Sequence, residues 1–223
     1  MSKTYFNPGC ALSLYKPEYE NTVLELLEAA YGKGGIKPHK ICCHYNPKLE
    51  AGANIINVCA GCDRRFSGLY EGITTISIWE VIDGLEDKFK YPDYHGLKLS
   101  VHDACPIREK PQVHKAVRNL LRKMNIEVVE AEFYGTSSVC CGDSFYPKLP
   151  IEEVRRKMKE RAESMPCKDV CVYCVSCIKS MHIGGKTPRY LLDLLLNEPT
   201  DPQLYDTEKW HELLKDYQKK HKD

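Results

Sequence analysis

Leu97-Lys98-Leu99-Ser100-Val101-His102-Asp103-Ala104-Cys105-Pro106, followed after a short gap by Pro111-Gln112-Val113-His114-Lys115-Ala116-Val117-Arg118-Asn119-Leu120-Leu121-Arg122-Lys123-Met124, decides the fold. The first seven residues read as a short buried strand, and Cys105 stands just past its carboxyl end. In the second stretch Val113, Val117, Leu120, Leu121 and Met124 recur at helical spacing along one face, and Pro111 suits a first helical turn. Residues 126–133 read as the next strand, and Cys140-Cys141-Gly142 falls in the loop beyond it. A charged helix is expected over 152–164, with Val154 and Met158 inward. A strand over 169–173 then delivers Cys174, and Cys177 falls one turn into a further helix. Strands alternating with helices predict an α/β fold with parallel sheets, where ligands gather beyond the carboxyl ends of strands. Each cysteine group stands at such an end.

The same order of signals occurs earlier in the chain. A strand at Thr4-Tyr5-Phe6 precedes Cys10, and a helix over 17–30 follows Lys16-Pro17, as residues 111–124 follow Lys110-Pro111. Cys42-Cys43 answers Cys140-Cys141, and a strand over 54–58 leads into Cys59-x-x-Cys62 as 169–173 leads into Cys174-x-x-Cys177. The run Trp79-Glu80-Val81-Ile82 answers Tyr190-Leu191-Leu192-Asp193. Both copies therefore read Cys, a gap of 31 or 34, Cys-Cys, a gap of 15 or 32, then Cys-x-x-Cys. Two diverged copies of one unit imply an internal duplication. The expectation is two pseudo-symmetric Rossmann-like lobes, residues 1–92 and 93–198, each a parallel sheet flanked by helices. Pro199-Thr200-Asp201-Pro202 opens a C-terminal helical tail, 199–223, with Trp210, Leu213, Leu214 and Tyr217 along one face. That tail is expected to pack back on the body, with docking of a partner as the second reading.

Composition narrows the chemistry. With Lys+Arg 32 against Asp+Glu 31, the net charge of +1 offers no electrostatic case for nucleic acid or an anionic membrane. No apolar run approaches the roughly 18 residues of a spanning helix, and Met1-Ser2-Lys3-Thr4-Tyr5-Phe6 lacks an apolar leader core, so a cytoplasmic protein without a membrane span is expected. Against that background, 12 cysteines in 223 residues are anomalous. A disulfide framework belongs to short secreted chains. Scattered buried thiols would not produce two Cys-Cys pairs and two Cys-x-x-Cys pairs. Metal or cluster ligation is the favoured reading, because thiolates at such spacings suit zinc or iron–sulfur clusters.

The pattern resembles the cysteine-rich CCG domain, present twice in the heterodisulfide reductase B subunit and in related subunits of glycolate, lactate and anaerobic glycerol-3-phosphate oxidation. The resemblance spans residues 5–195 and is strongest in His102-Asp103-Ala104-Cys105-Pro106, Val139-Cys140-Cys141-Gly142 and Cys174-Val175-Ser176-Cys177. It implies two noncubane [4Fe–4S] clusters, one held by Cys10, Cys42, Cys43, Cys59 and Cys62, the other by Cys105, Cys140, Cys141, Cys174 and Cys177. It also implies cleavage or formation of a disulfide in one-electron steps. Gly142 would supply the tight backbone of the double-cysteine turn. The first copy departs from the pattern at Cys42-Cys43-His44 and in its shorter second gap, which leaves that site open to zinc or a different cluster. His44 could be a ligand, a proton donor or a loop residue, the last favoured. Cys167 and Cys171 have no counterparts and read as a loop thiol and a buried structural thiol. His102 and Asp103 could relay a proton or simply hydrogen-bond at a strand end.

Three functions follow: an iron–sulfur disulfide oxidoreductase acting on a small-molecule disulfide or thiol, an electron-transfer subunit of a larger 2-hydroxy-acid or glycerol-phosphate oxidising complex, or a zinc or structural metal module. Neither a ferredoxin cysteine run nor a glycine-rich nucleotide loop is present. A separate ferredoxin-like or flavoprotein electron donor is therefore expected, in an oxygen-poor cytoplasm.

Overall fold

A computed structural model describes residues 3–202 and 206–223; Met1 and Ser2 of the N-terminal reading lie outside it. The chain forms two compact units, Met1–Phe89 with His211–Asp223, and Lys90–Trp210.

The first unit runs β1 (Thr4–Asn7), α1 (Cys10–Tyr15), α2 (Tyr19–Tyr31), β2 (Ile36–Pro38), β3 (Asn54–Asn57), α3 (Ala60–Leu69), β4 (Thr74–Ser77) and α4 (Ile78–Asp83). Its sheet is wholly parallel with the order β2-β1-β3-β4. The second unit runs β5 (Leu97–His102), α5 (Pro111–Lys123), β6 (Ile126–Val128), α6 (Ile151–Glu163), β7 (Asp169–Val172), α7 (Val175–Ile183), β8 (Thr187–Tyr190) and α8 (Leu191–Leu196). Its sheet is parallel too, with the corresponding order β6-β5-β7-β8. The fold is thus α/β with two four-stranded parallel sheets flanked by helices, and the two units repeat one Rossmann-like topology. In each sheet the strand order reverses at the first strand of the unit, so the switch point, where doubly wound sheets bind ligands, lies at the carboxyl ends of β1 and β3 and of β5 and β7. A last helix, α9 (Thr207–Lys220), is divided between the two units after Trp210.

Both sheets carry near-continuous apolar runs because helices cover both faces. Ile55 and Ile56 of β3, and Leu99, Val101, Val170, Cys171 and Val172 of β5 and β7, are all fully buried. Cys171 pairs with Val101 and Arg189 in the parallel ladder and is a core residue. Pro111 occupies the first turn of α5, whose Val113, Val117, Leu120 and Leu121 are buried. At α4, Ser77 and Glu80 form a reciprocal capping box.

One local reading changes. The ladder of the strand expected over 126–133 ends at Val128, beyond which only the Val129 N–H reaches Leu99 O, at 2.9 Å. Glu130, just past the ladder, pairs its carboxylate with Arg118 of α5, 2.8 Å away. The short gap between Cys43 and Cys59 reflects a missing crossover helix, since the first unit has no counterpart of α6. No helix among the described residues is long and apolar enough to cross a membrane.

Candidate metal centres

In the second unit the strand ends bring five cysteines to one place. Cys105 opens a short 3-10 turn after β5, Cys140 and Cys141 lie in the loop after β6, Cys174 is the N-cap of α7, and Cys177 sits in its first turn. Their thiols form a hydrogen-bonded chain. Cys105 and Cys141 donate to Cys140, which is held far below the ordinary thiol value. Cys177 donates to both Cys141 and Cys174. Cys140 Sγ also contacts Ser144 Oγ at 2.9 Å and accepts the Gly142 N–H at 3.4 Å.

The backbone that delivers these sulfurs is tightly held. Gly142 has φ +103, and a Cβ there would stand 2.8 Å from the Met158 backbone nitrogen. Asp143 accepts from the buried ammonium of Lys179 at 2.7 Å, tying the double-cysteine loop to α7. The fully buried Asp103 joins three further segments. It receives both terminal nitrogens of Arg118 at 2.8 Å, the Gly135 N–H at 2.6 Å and the Tyr173 hydroxyl at 2.9 Å. Burial alone would raise the Asp103 pKa, but Arg118, Gly135 and Tyr173 together hold it below the ordinary carboxylate value. With every contact satisfied, Asp103 acts as an anchor rather than a proton relay.

His102 is different. Its Nδ1 lies 3.2 Å from the Nε–H of Arg161, a donor with no acceptor capacity, so Nδ1 must carry the lone pair and Nε2 the proton. Nε2 is buried with no hydrogen-bond partner, and the His102 ring lies with Cys141 and Cys177 in a group whose ligand atoms fall within 4.8 Å of one another. The Arg161 contact therefore leaves the Nε2–H of His102 buried without an acceptor, on a ring grouped with two of the thiols. Burial, reinforced by the Arg161 charge, lowers its pKa to about 4. At neutral pH the ring is therefore uncharged. On acidification from the ordinary value of 6.5 toward 4, the unfolded chain takes up a proton that the folded one refuses. Metal-free protein should lose up to about 3 kcal/mol across that window, and a His102→Gln variant should lose distinctly less in urea titrations spanning it.

The first unit repeats the arrangement. Cys10 opens α1, Cys42 and Cys43 lie buried in the loop after β2, Cys59 is the N-cap of α3, and Cys62 lies within that helix. Cys43 accepts from Cys42 and Cys62 and is lowered to about 3. Cys59 accepts from Cys62 and is also lowered, whereas burial beside Cys59 and Cys43 pushes Cys10 up to about 12. Gly9, at φ +77, allows the close approach; a Cβ there would lie 2.9 Å from Cys59 Cβ and 3.3 Å from Cys62 Sγ. The C-terminal segment closes this site. Gln218 bonds Cys10, the Cys42 N–H donates to His221 O at 2.9 Å, and Tyr217 joins Cys10, Cys42, Cys43 and Cys62 around a residual cavity of about 10 Å³.

The ten cysteines thus stand in two groups of five, with Cys10 of the first group bonded to Gln218 rather than to another thiol, an arrangement compatible with metal or cluster binding. Cys167 and Cys171 lie outside these chains, and His44 is exposed in its loop. Sequence reasoning missed Arg161, Arg118, Lys179, Gly9, Gln218 and His221, and placed Tyr217 on the packing face of the tail without its contact to the first thiol group. Arg161 left one signal: it follows the inward Val154 and Met158 at helical spacing, a charge on the buried face of α6. Compared with family models, with curated proteins and with solved structures, the chain finds no match in any of the three.

Proposed function

We propose that the chain is a cytoplasmic iron–sulfur oxidoreductase of the CCG, heterodisulfide reductase B type. In this reading it binds two [4Fe–4S] clusters, one in each five-cysteine group, and reduces or forms a disulfide with a separate ferredoxin-like or flavoprotein partner as electron donor. The observation that carries this reading is the convergence of five cysteines beyond the strand ends of each unit, one more thiol than a single tetrahedral ion takes, which suits a polynuclear group better. Cys10, Cys42, Cys43, Cys59 and Cys62 would hold one cluster, and Cys105, Cys140, Cys141, Cys174 and Cys177 the other. A bound cluster supplies single electrons to a reaction that needs two.

The chain's own residues do the rest. The thiols surrender their protons on loading, so cluster binding releases acid. The orphaned Nε2–H of His102 supports the fit at the second group, because it offers a donor to sulfur where no protein acceptor is supplied. Asp103, Arg118 and Lys179 fix the loops that present the sulfurs.

The test is anaerobic reconstitution with iron and sulfide, followed by metal analysis, electron paramagnetic resonance after oxidation, and disulfide reduction with a chemical reductant. Two clusters per chain, and loss of about half the iron with most of the turnover in Cys105→Ala, are expected. A colourless protein with stoichiometric zinc, or undiminished disulfide reduction in that variant, would overturn the proposal.

A further inference from the structure

We propose that the cavity beside Cys140 in the second unit binds the organic partner of the reaction, a thiol or disulfide with a compact apolar body and an anionic group. This inference rests on the oxidoreductase reading and gives it a substrate class. The cavity has a volume of about 230 Å³, with Phe133, Val139, Phe145 and the Cys140 side chain in its wall. It falls below the roughly 300–1,000 Å³ of pockets for drug-sized ligands, so it accommodates a single ring or a short chain. Phe133 and Val139 are 45% and 47% exposed, two of the few large apolar side chains that the chain leaves open to water. Covering them with an apolar body gains hydrophobic free energy.

The polar groups give the ligand its charge. The Arg161 guanidinium is engaged by His102, Ser164, Ser138 and the Phe133 carbonyl. The Glu160 carboxylate is held by Arg156. Lys157 keeps its ammonium over the Phe145 ring, 5.0 Å from the centroid, at the cavity wall. A ligand lying along Phe133 and Val139 therefore has this cation within the same cavity wall, which selects an anionic tail. Its sulfur end meets Cys140 Sγ, a soft atom beside the Ser144 hydroxyl. The cavity beside Cys10 and Cys42 in the first unit measures only about 10 Å³.

Calorimetric titration of the full-length chain, reconstituted and metal-free, with 4-mercaptobenzoate, 4-methylbenzenethiol and benzoate tests the assignment. Metal-free protein is kept under a non-thiol reductant. 4-Mercaptobenzoate should bind most tightly in both forms. Val139→Asp should weaken it about tenfold, and Lys157→Ala should abolish its advantage over 4-methylbenzenethiol, a difference of roughly tenfold for one favourable charge contact. Neither residue is a proposed ligand, and thermal melts check that both variants fold. Equal binding of the three probes, or unchanged affinity in both variants, would overturn the inference. Iron and sulfide counts on the same samples separate the two levels. Iron-loaded protein that fails these comparisons overturns the cavity assignment alone. Absence of iron overturns the cluster reading, while the metal-free titration still decides the cavity.

Discussion

Asp103→Ala should destabilise the second unit by about 3–5 kcal/mol, the cost of removing one partner from a buried ion pair and stranding the other. Asp103 is fully buried, and its carboxylate accepts from Arg118, Gly135 and Tyr173. Its backbone carbonyl accepts from Ser138 Oγ at 2.9 Å. These partners come from α5, from the loop that leads into Cys140, and from the strand end before Cys174. One substitution therefore loosens three of the segments that present thiols. Guanidinium unfolding should show the loss directly, and the iron retained by the second group should fall with it. Asp103→Asn keeps the shape but not the charge, so it should cost less. The pH dependence has a fixed sign: the folded carboxyl lies below the ordinary 3.8, so its contribution is complete above that value. It disappears as pH falls through the lowered pKa. Wild type should lose this stability only in acid, whereas Asp103→Asn should lack it at neutral pH. Equal stability of wild type and Asp103→Ala would show that Arg118 and Glu130 suffice.

The architecture was legible because its signals are local and repeated. Pro111 and the Val113–Val117–Leu120 spacing mark α5 from sequence, and the matching order of Cys10, Cys42-Cys43 and Cys59-x-x-Cys62 exposes the duplication. The grouping of thiols into two fives was visible for the same reason. What stayed hidden depends on contacts between residues far apart in the chain. Arg161 lies 59 positions from His102, yet it fixes that ring's tautomer. Arg118 reads as an ordinary charge on an amphipathic helix until Asp103 and Glu130 meet it from two other segments. The apolar face with Trp210 and Tyr217 announces that the tail packs back on the body, but nothing local announces that it lands on the first thiol group, where His221 O accepts the Cys42 N–H. The strand over 126–133 outruns the observed ladder because β-propensity is read along one segment, whereas the ladder depends on a partner, and pairing with β5 stops at Val128.

Gly142→Ala should cost about 2–5 kcal/mol and disable the second thiol group. Two independent effects add. At φ +103 the backbone occupies a region that L-residues enter only with strain, on the order of 1–2 kcal/mol or more. The added methyl would also meet the Met158 backbone nitrogen at 2.8 Å, and overpacking of this kind costs about 1–3 kcal/mol. The atom in the way is helix backbone, with no rotamer to move, so the loop must shift instead. That shift carries Cys141 and Asp143, and with Asp143 the buried Lys179 contact that pins the loop to α7. Gly68→Ala is the matched control. Gly68 lies in α3 at ordinary φ with nothing within 4 Å of an added Cβ, so it should stabilise by about 0.5–1 kcal/mol. Thermal melts and iron content read together make the comparison sharp. A Gly142→Ala protein that melts and loads like wild type would show that the double-cysteine turn tolerates a side chain, and that the glycine after Cys141 serves no geometric need.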